Sequence, residues 1–346
     1  NFSARRSNTM NDFIKFTGPA DVLAFIPHTL GQAPTESFVA LTMQGNKIGA
    51  TLRVDAPFGQ DTAGFAQTVV SYLTADEAAT GSLLVIYTDE KTSDGSRPYA
   101  GHVQALRTEL ETAGMPLRDA WLVTSELWRN YHCADTSCCP DESLDAITTS
   151  NGNAALIYRG SAVTGFIAPA PFTGDETARE AIAAHKPDGW PEDLEASRAA
   201  WAKVLDDPKS LTTETAHQLA GALQHPTIRD YMMGDIVPHA PEQFTSVMLG
   251  VFPTRPDWAR VDTAQEVAFE LMKATPEGQR APMLCLIGWL EWLKGQSSFA
   301  ARYFKLALED STGYRLAELL GELVNRGLLA DCCRDPKKAY DRRLKR

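Results

Sequence analysis

The stretch Trp128–Pro140, WRNYHCADTSCCP, gathers Trp, Arg, Tyr, His and three of the chain's six cysteines into thirteen residues. His132, Cys133, Cys138 and Cys139 are soft donors of the kind that hold zinc. Zinc sites favour paired Cys-x-x-Cys knuckles, because two intervening residues let both sulfurs turn toward one tetrahedral ion. The spacing here is Cys-x4-Cys-Cys, and the side chains of adjacent residues such as Cys138 and Cys139 normally point apart. Cys332 and Cys333 could add ligands only if two domains meet. The expectation is therefore a buried or partly buried thiol corner, stapled by Pro140 and its aromatic neighbours. A zinc or thiol sensor and a Cys133–Cys138 disulfide are the alternatives. A catalytic cysteine would need a base or cation to lower its pKa; His132 adjoins Cys133 and diverges from it, and Arg129 lies four residues upstream.

A second constellation is acidic. Three strand-like runs end in carboxylates: Asp55 after TLRV, Asp89 after VIYT and Glu126 after WLVTS. Open α/β sheets place ligands outside the carboxyl ends of their strands. Convergent carboxylates there would suit Mg²⁺, a hard cation that prefers oxygen, and hydrolytic chemistry, with Thr88 and Ser125 adding hydroxyls. The simpler reading is that Asp and Ser end strands and open turns. Hairpin pairing also threatens to put Asp55 at the opposite edge. His28, after Pro27 and before Gly31, suits a structural role at a helix end. No Walker loop, no Gly-x-Gly-x-x-Gly after a strand and no Gly-x-Ser-x-Gly elbow occurs, which lowers the odds of the common nucleotide-binding and hydrolase classes.

The elements that must position these residues change character midway. Pro19–Leu30 has helical spacing. Ser37–Met43 and Ile48–Val54 read as a hairpin around Gly45-Asn46. Thr62–Leu73 and Val103–Ala113 read as helices. Ser82–Tyr87 (SLLVIY) and Ala120–Thr124 are short apolar runs that mark buried strands. Ala154–Tyr158 and Ala162–Ile167 suggest a closing hairpin. Beyond the Pro/Gly-rich stretch near 169–175 the pattern becomes helical: segments begin near Glu176, Asp193, Thr213, Thr227, Gln243, Thr263, Ala281, Ser297 and Gly313, separated by Pro, Gly or Asp. Gly288, Ala300, Phe304 and Ala307 fall at the small and aromatic positions of a tetratricopeptide repeat, with Thr312 where that pattern has Pro. The expected architecture is an α/β domain with a mixed sheet over 11–170, an all-α domain of packed hairpins over 175–330, and a basic, solvated tail over 331–346.

Length and charge bound the rest. Two domains are natural for 346 residues. A net charge of −11 argues against general nucleic-acid binding, which needs a basic face. No apolar run of membrane length occurs, and the first residues lack a signal-peptide core. A cytosolic setting is expected, where cysteines are thiols or metal ligands.

Four N-terminal segments, IPHTLGQAPTESFV, TLRVDAP, LLVIYTDE and WRNYHCADTSCCP, together resemble the actinobacterial family called domain of unknown function 4192. PDWARVDTAQEV, RAPMLCLIGWLEWLKG and GYRLAELL extend the resemblance to about Leu328. Gln32 stands where the family favours an aromatic residue, and Cys332 and Cys333 lie outside its pattern. The resemblance implies a bacterial protein with an N-terminal α/β part and carries no reaction with it. The residues themselves favour a cytosolic module that binds a protein partner or small ligand. The alternatives are a Mg²⁺-dependent hydrolytic enzyme on Asp55, Asp89 and Glu126, and a zinc or thiol sensor. Neither metal is favoured over none. If the α/β domain has a pocket, Arg129 and Tyr131 are the expected ligand contacts.

Overall fold

The computed structural model describes residues 14–57, 59, 61–91, 97–135, 137–163, 165–335 and 337–340. Two compact units divide the chain, Asn1–Gly165 and Phe166–Arg346.

The first unit is a six-stranded mixed sheet between helices. Its elements are α1 (Pro19–Leu30), β1 (Ser37–Gln44), β2 (Lys47–Asp55), α2 (Thr62–Leu73), β3 (Gly81–Tyr87), α3 (Ala100–Thr112), β4 (Leu117–Val123), β5 (Leu127–Asn130), β6 (Glu142–Ser143), α4 (Asp145–Thr148) and α5 (Asn151–Tyr158). The strand order is β2-β1-β3-β4-β5-β6. β1 is antiparallel to both β2 and β3, and β3 is parallel to β4. So β2, β3 and β4 all point the same way. Every residue of β3 is buried. Leu84 and Ile86 face Val69, Val70, Val103 and Leu106 of α2 and α3, while Leu83 and Val85 share the opposite core with Leu23 and Ile26 of α1. Burying such a side chain stabilises by roughly 1.5–3 kcal/mol. That two-sided burial explains why SLLVIY shows no alternation.

Local chemistry sets the boundaries. Pro19 opens α1, and Gly31 closes it at φ 80°, donating its N–H to Pro27 O at 2.7 Å. Gln44 pairs with Lys47 across a two-residue turn in which Gly45 has φ +62°. The closing hairpin expected over 154–167 is instead helix α5. The Ser150 hydroxyl accepts the Asn153 N–H and caps it. Buried Asp21 of α1 accepts the Gly152 N–H at 2.7 Å. A five-residue apolar run fits a strand or a helix equally, and here cap and anchor decide. His28 is structural: its ring nitrogens lie 2.9 Å from Ser161 Oγ and 2.9 Å from Asn153 Oδ1.

The second unit is helical: α6 (Ala178–Ala184), α7 (Pro191–Asp206), α8 (Thr213–Ala222), α9 (Pro226–Gly234), α10 (Phe244–Met248), α11 (Trp258–Ala274), α12 (Ala281–Leu293), α13 (Ser297–Asp310) and α14 (Arg315–Asn325). All thirteen residues of α12 are buried, the mark of a helix surrounded by others. α12 and α13 form the hairpin that the tetratricopeptide-like positions indicate, with Ala300 and Ala307 fully buried. A Cβ on Gly288 would meet the Phe304 ring at 2.5 Å, so only glycine allows this approach. Buried indoles find carbonyls: Trp201 donates to Met232 O at 2.8 Å and Trp292 to Leu328 O at 2.8 Å.

Part of the expected solvated tail is fastened down. Lys338 Nζ donates to Phe252 O at 2.7 Å, Trp258 Nε1 donates to Lys338 O at 2.9 Å, and Tyr340 OH donates to Asp262 Oδ1 at 3.0 Å. Asp262 is also ion-paired to the nearly buried Lys294 at 2.6 Å. Residues 341–346 of the tail and 1–13 at the other end lie outside the described residues.

Two substitutions test this packing. Gly288→Val should lower unfolding free energy by about 1–3 kcal/mol through overpacking against Phe304, read by urea denaturation. Burial alone would raise the Asp21 pKa, but bonds from Thr17 and Gly152 outweigh it and leave it lowered from 3.8. Asp21 therefore stabilises the fold above the ordinary carboxylate range, and that stability is lost as pH falls through its depressed folded value. Between pH 5 and pH 3 the wild-type urea midpoint should fall more steeply than that of Asp21→Asn.

Candidate functional site

The common direction of β2, β3 and β4 brings Asp55, Asp89 and Glu126 to one edge of the sheet. Asp55 is therefore not at the opposite edge. The edge nevertheless separates them. β1 lies between β2 and β3, which sets Asp55 roughly 10 Å from the β3 line at ~4.8 Å per strand. Asp55 pairs instead with Arg53 at 2.6 Å. The Asp89 carboxylate accepts the Ser125 N–H at 2.7 Å, which lowers its pKa, and so it organises the β4–β5 turn. Glu126 is exposed on that turn. Among the described residues the three do not form a group with ligand atoms within 4.8 Å of one another.

What fills this edge is Glu36, just before β1, a residue that sequence reasoning missed. Its carboxylate accepts Thr88 Oγ1 at 2.8 Å and the Asp89 N–H at 3.1 Å, and its carbonyl accepts the Ala56 N–H at 2.9 Å. Glu36 (φ 38°) and Tyr99 (φ 61°) are the two non-glycine residues with positive φ among the described residues. Tyr99, at the start of α3, stacks edge-on against Phe38 and His102. Burial, together with the Glu90 carboxylate, raises its phenol pKa. No sequence signal distinguishes Glu36 from a polar turn residue. The bonds it makes tie the start of β1 to the end of β3.

The cysteine loop lies elsewhere. β5 runs back from the carboxyl edge, and the Tyr131 N–H reaches Ala120 O, within β4, at 2.8 Å. Tyr131 is a core residue, 5% exposed, whose hydroxyl donates to Pro98 O at 2.5 Å; burial pushes its pKa up to about 12. Arg129 is ion-paired to Asp141 at 3.3 Å. The expected ligand contacts are thus engaged in holding the loop's base. Asn130 continues that role: Asp119 accepts its amide at 2.7 Å, and its own Oδ1 accepts the N–H groups of His132 and Cys133 at 2.9 Å each. Arg97 Nη2 donates to Cys133 O at 2.7 Å.

Asp135 then reverses the chain. Its carbonyl accepts the N–H groups of Cys138 and Cys139 at 3.2 and 2.8 Å, while its carboxylate accepts both the Ser137 N–H and hydroxyl. This turn folds Cys138 and Cys139 back over Cys133. The three Sγ atoms lie within 4.8 Å of one another, with Cys138 and Cys139 at 3.8 Å. The expected divergence of adjacent cysteines is overturned by the turn. The expected partial burial is found at Cys133 and Cys139, whereas Cys138 is exposed. His132 is not in the group; its ring packs on Tyr131 at 5.7 Å. All three sulfurs are free thiols. A hydrogen bond from Cys139 lowers the Cys133 pKa, and the same bond pushes the donating Cys139 thiol up to about 12.

The arrangement defines a protein of two compact units, an α/β unit that carries a partly exposed three-thiol cluster and a helical unit. Residues 19–330 match the family described as domain of unknown function (DUF4192), and the chain belongs to that family. No curated protein and no solved structure matches it.

Glu36 offers a test of the sheet edge. Glu36→Ala should cost about 1–2 kcal/mol, because solvent-exposed charge-assisted bonds to Thr88 and Asp89 are lost. Glu36→Gly should be milder by about 1 kcal/mol, since glycine occupies positive φ freely. Equal losses in urea unfolding would show that the backbone there is unstrained.

Proposed function

We propose that the protein is a cytosolic soft-metal-binding module of the zinc class, in which Cys133, Cys138 and Cys139 supply three thiolates. The convergence of their sulfurs carries the reading. Zn–S distances near 2.3 Å put tetrahedral sulfur–sulfur edges at roughly 3.8 Å, and Cys138 and Cys139 already stand 3.8 Å apart. Small shifts of Cys133 complete the face. The fourth position is left to water or an exogenous ligand, as in reactive rather than closed structural sites. Exposure of the loop makes the ion exchangeable, which suits a sensor. A reducing cytosol keeps such thiols available, and the family resemblance supports an actinobacterial source. Protein partners are a second reading, supported by Leu319, Leu328 and Leu329, each at least 45% exposed on the helical unit.

Metal analysis of protein purified without chelator decides between these. About one equivalent of zinc is expected, falling below a tenth in Cys133→Ser and in Cys138→Ser/Cys139→Ser. Cobalt substitution should give sulfur-to-metal charge-transfer absorption that disappears as pH falls, because protons compete for thiolate. Wild-type protein that takes up neither zinc nor cobalt would rule out the metal reading.

A further inference from the structure

The helical unit holds an open cleft of about 660 Å³, a volume in the range of small-molecule sites. Pro169 and Leu306 give it accessible apolar surface over the buried Met272 and Leu284, and Arg280 also lines it. Arg280 is 7% exposed. Its Nε donates to Thr275 O at 2.6 Å, whereas its Nη2 is buried without a hydrogen-bond partner. No carboxylate among the described residues forms an ion pair with it within the 4.0 Å that defines one. A buried cation in that state is costly unless an acceptor joins it.

One lining acid is already committed. The Asp310 carboxylate accepts the N–H groups of Gly278, Arg280 and Ala281 at 2.7, 2.8 and 2.9 Å. It therefore neutralises the amino end of α12 and leaves the Arg280 guanidinium uncompensated. Glu277 and Glu309 also line the cleft but are exposed, so water screens them. Glu277 is further held through its carbonyl, which accepts from Arg179 at 2.7 Å.

We infer that this cleft binds a small monocarboxylate with an apolar tail. The carboxylate meets the buried Arg280 guanidinium, which is shaped for paired hydrogen bonds to two oxygens. The tail lies along Pro169 and Leu306. The inference is independent of the metal reading, because every residue it uses belongs to the helical unit.

Titration calorimetry of the full chain, with and without zinc, tests it using octanoate and octanamide as probes. Octanoate should bind at least tenfold tighter than octanamide, with the same affinity in both metal states. Arg280→Met should abolish the preference and leave the thermal transition cooperative. Should that variant unfold, Leu306→Trp fills the tail region from a half-exposed position and should abolish octanoate binding. Equal binding of the two probes, no binding of either, or an unchanged preference in Arg280→Met overturns the inference.

Discussion

β3 has no solvent face, and the α/β unit is arranged around that constraint. A strand buried on both sides must have a hydrogen-bonded partner on each edge and a helical layer on each face. The partners are β1, antiparallel, and β4, parallel. The layers are α2 and α3 on one side and α1 on the other. Because β1 is antiparallel, it delivers Glu36 to the carboxyl end of β3, where its carboxylate accepts from the Thr88 hydroxyl and the Asp89 N–H. In the second unit the corresponding constraint is α12. A helix with no polar stripe cannot lie on a surface, so α11 and α13 enclose it. Its one acidic side chain, Glu291, is bonded by Gln265 at 2.6 Å.

Much of this was legible because it depends on pattern. SLLVIY and the near-continuous apolar run of α12 announce burial without any tertiary knowledge, and Gly45-Asn46 announces the tight turn. What was not legible depends on order and on single polar contacts. The runs ending at Asp55, Asp89 and Glu126 do reach one edge, but nothing in the residues says that β1 intervenes. Ala154–Tyr158 carries too few residues for periodicity to separate helix from strand, and the Ser150 cap and the Asp21 anchor act from outside the run. The cysteine loop misleads for a related reason. Adjacent side chains diverge on regular backbone, yet the Asp135 turn is not regular backbone, and its Asx-type bonds to Ser137 become meaningful only once the return of the chain is seen.

Five of the six cysteines fall into two environments, and Cys333 is intermediate. Cys285 lies inside α12, where burial pushes its thiol up to about 12, and Cys332 is wholly buried. Such thiols behave as small apolar groups and are protected from oxidants and metals. Cys133, Cys138 and Cys139 occupy a loop whose base is held by Asn130, Arg97 and Tyr131, so the sulfurs are accessible while their backbone is fixed. Rigid support beneath an exposed donor set is what distinguishes a preorganised site from a mobile thiol.

The strap over residues 337–340 has a consequence for how the helical unit is made. Asp262 and Lys294 are ion-paired where little water reaches, and Tyr340 both bonds to Asp262 and lies 5.0 Å from the Lys294 ammonium. A ribosome delivers Asp262 and Lys294 long before it delivers Tyr340. The strap's own anchors, Phe252 O and Trp258 Nε1, are also supplied earlier in the chain. Docking of residues 337–340 and exclusion of water from this ion pair are therefore one event, so the strap and the pair gain their stability together.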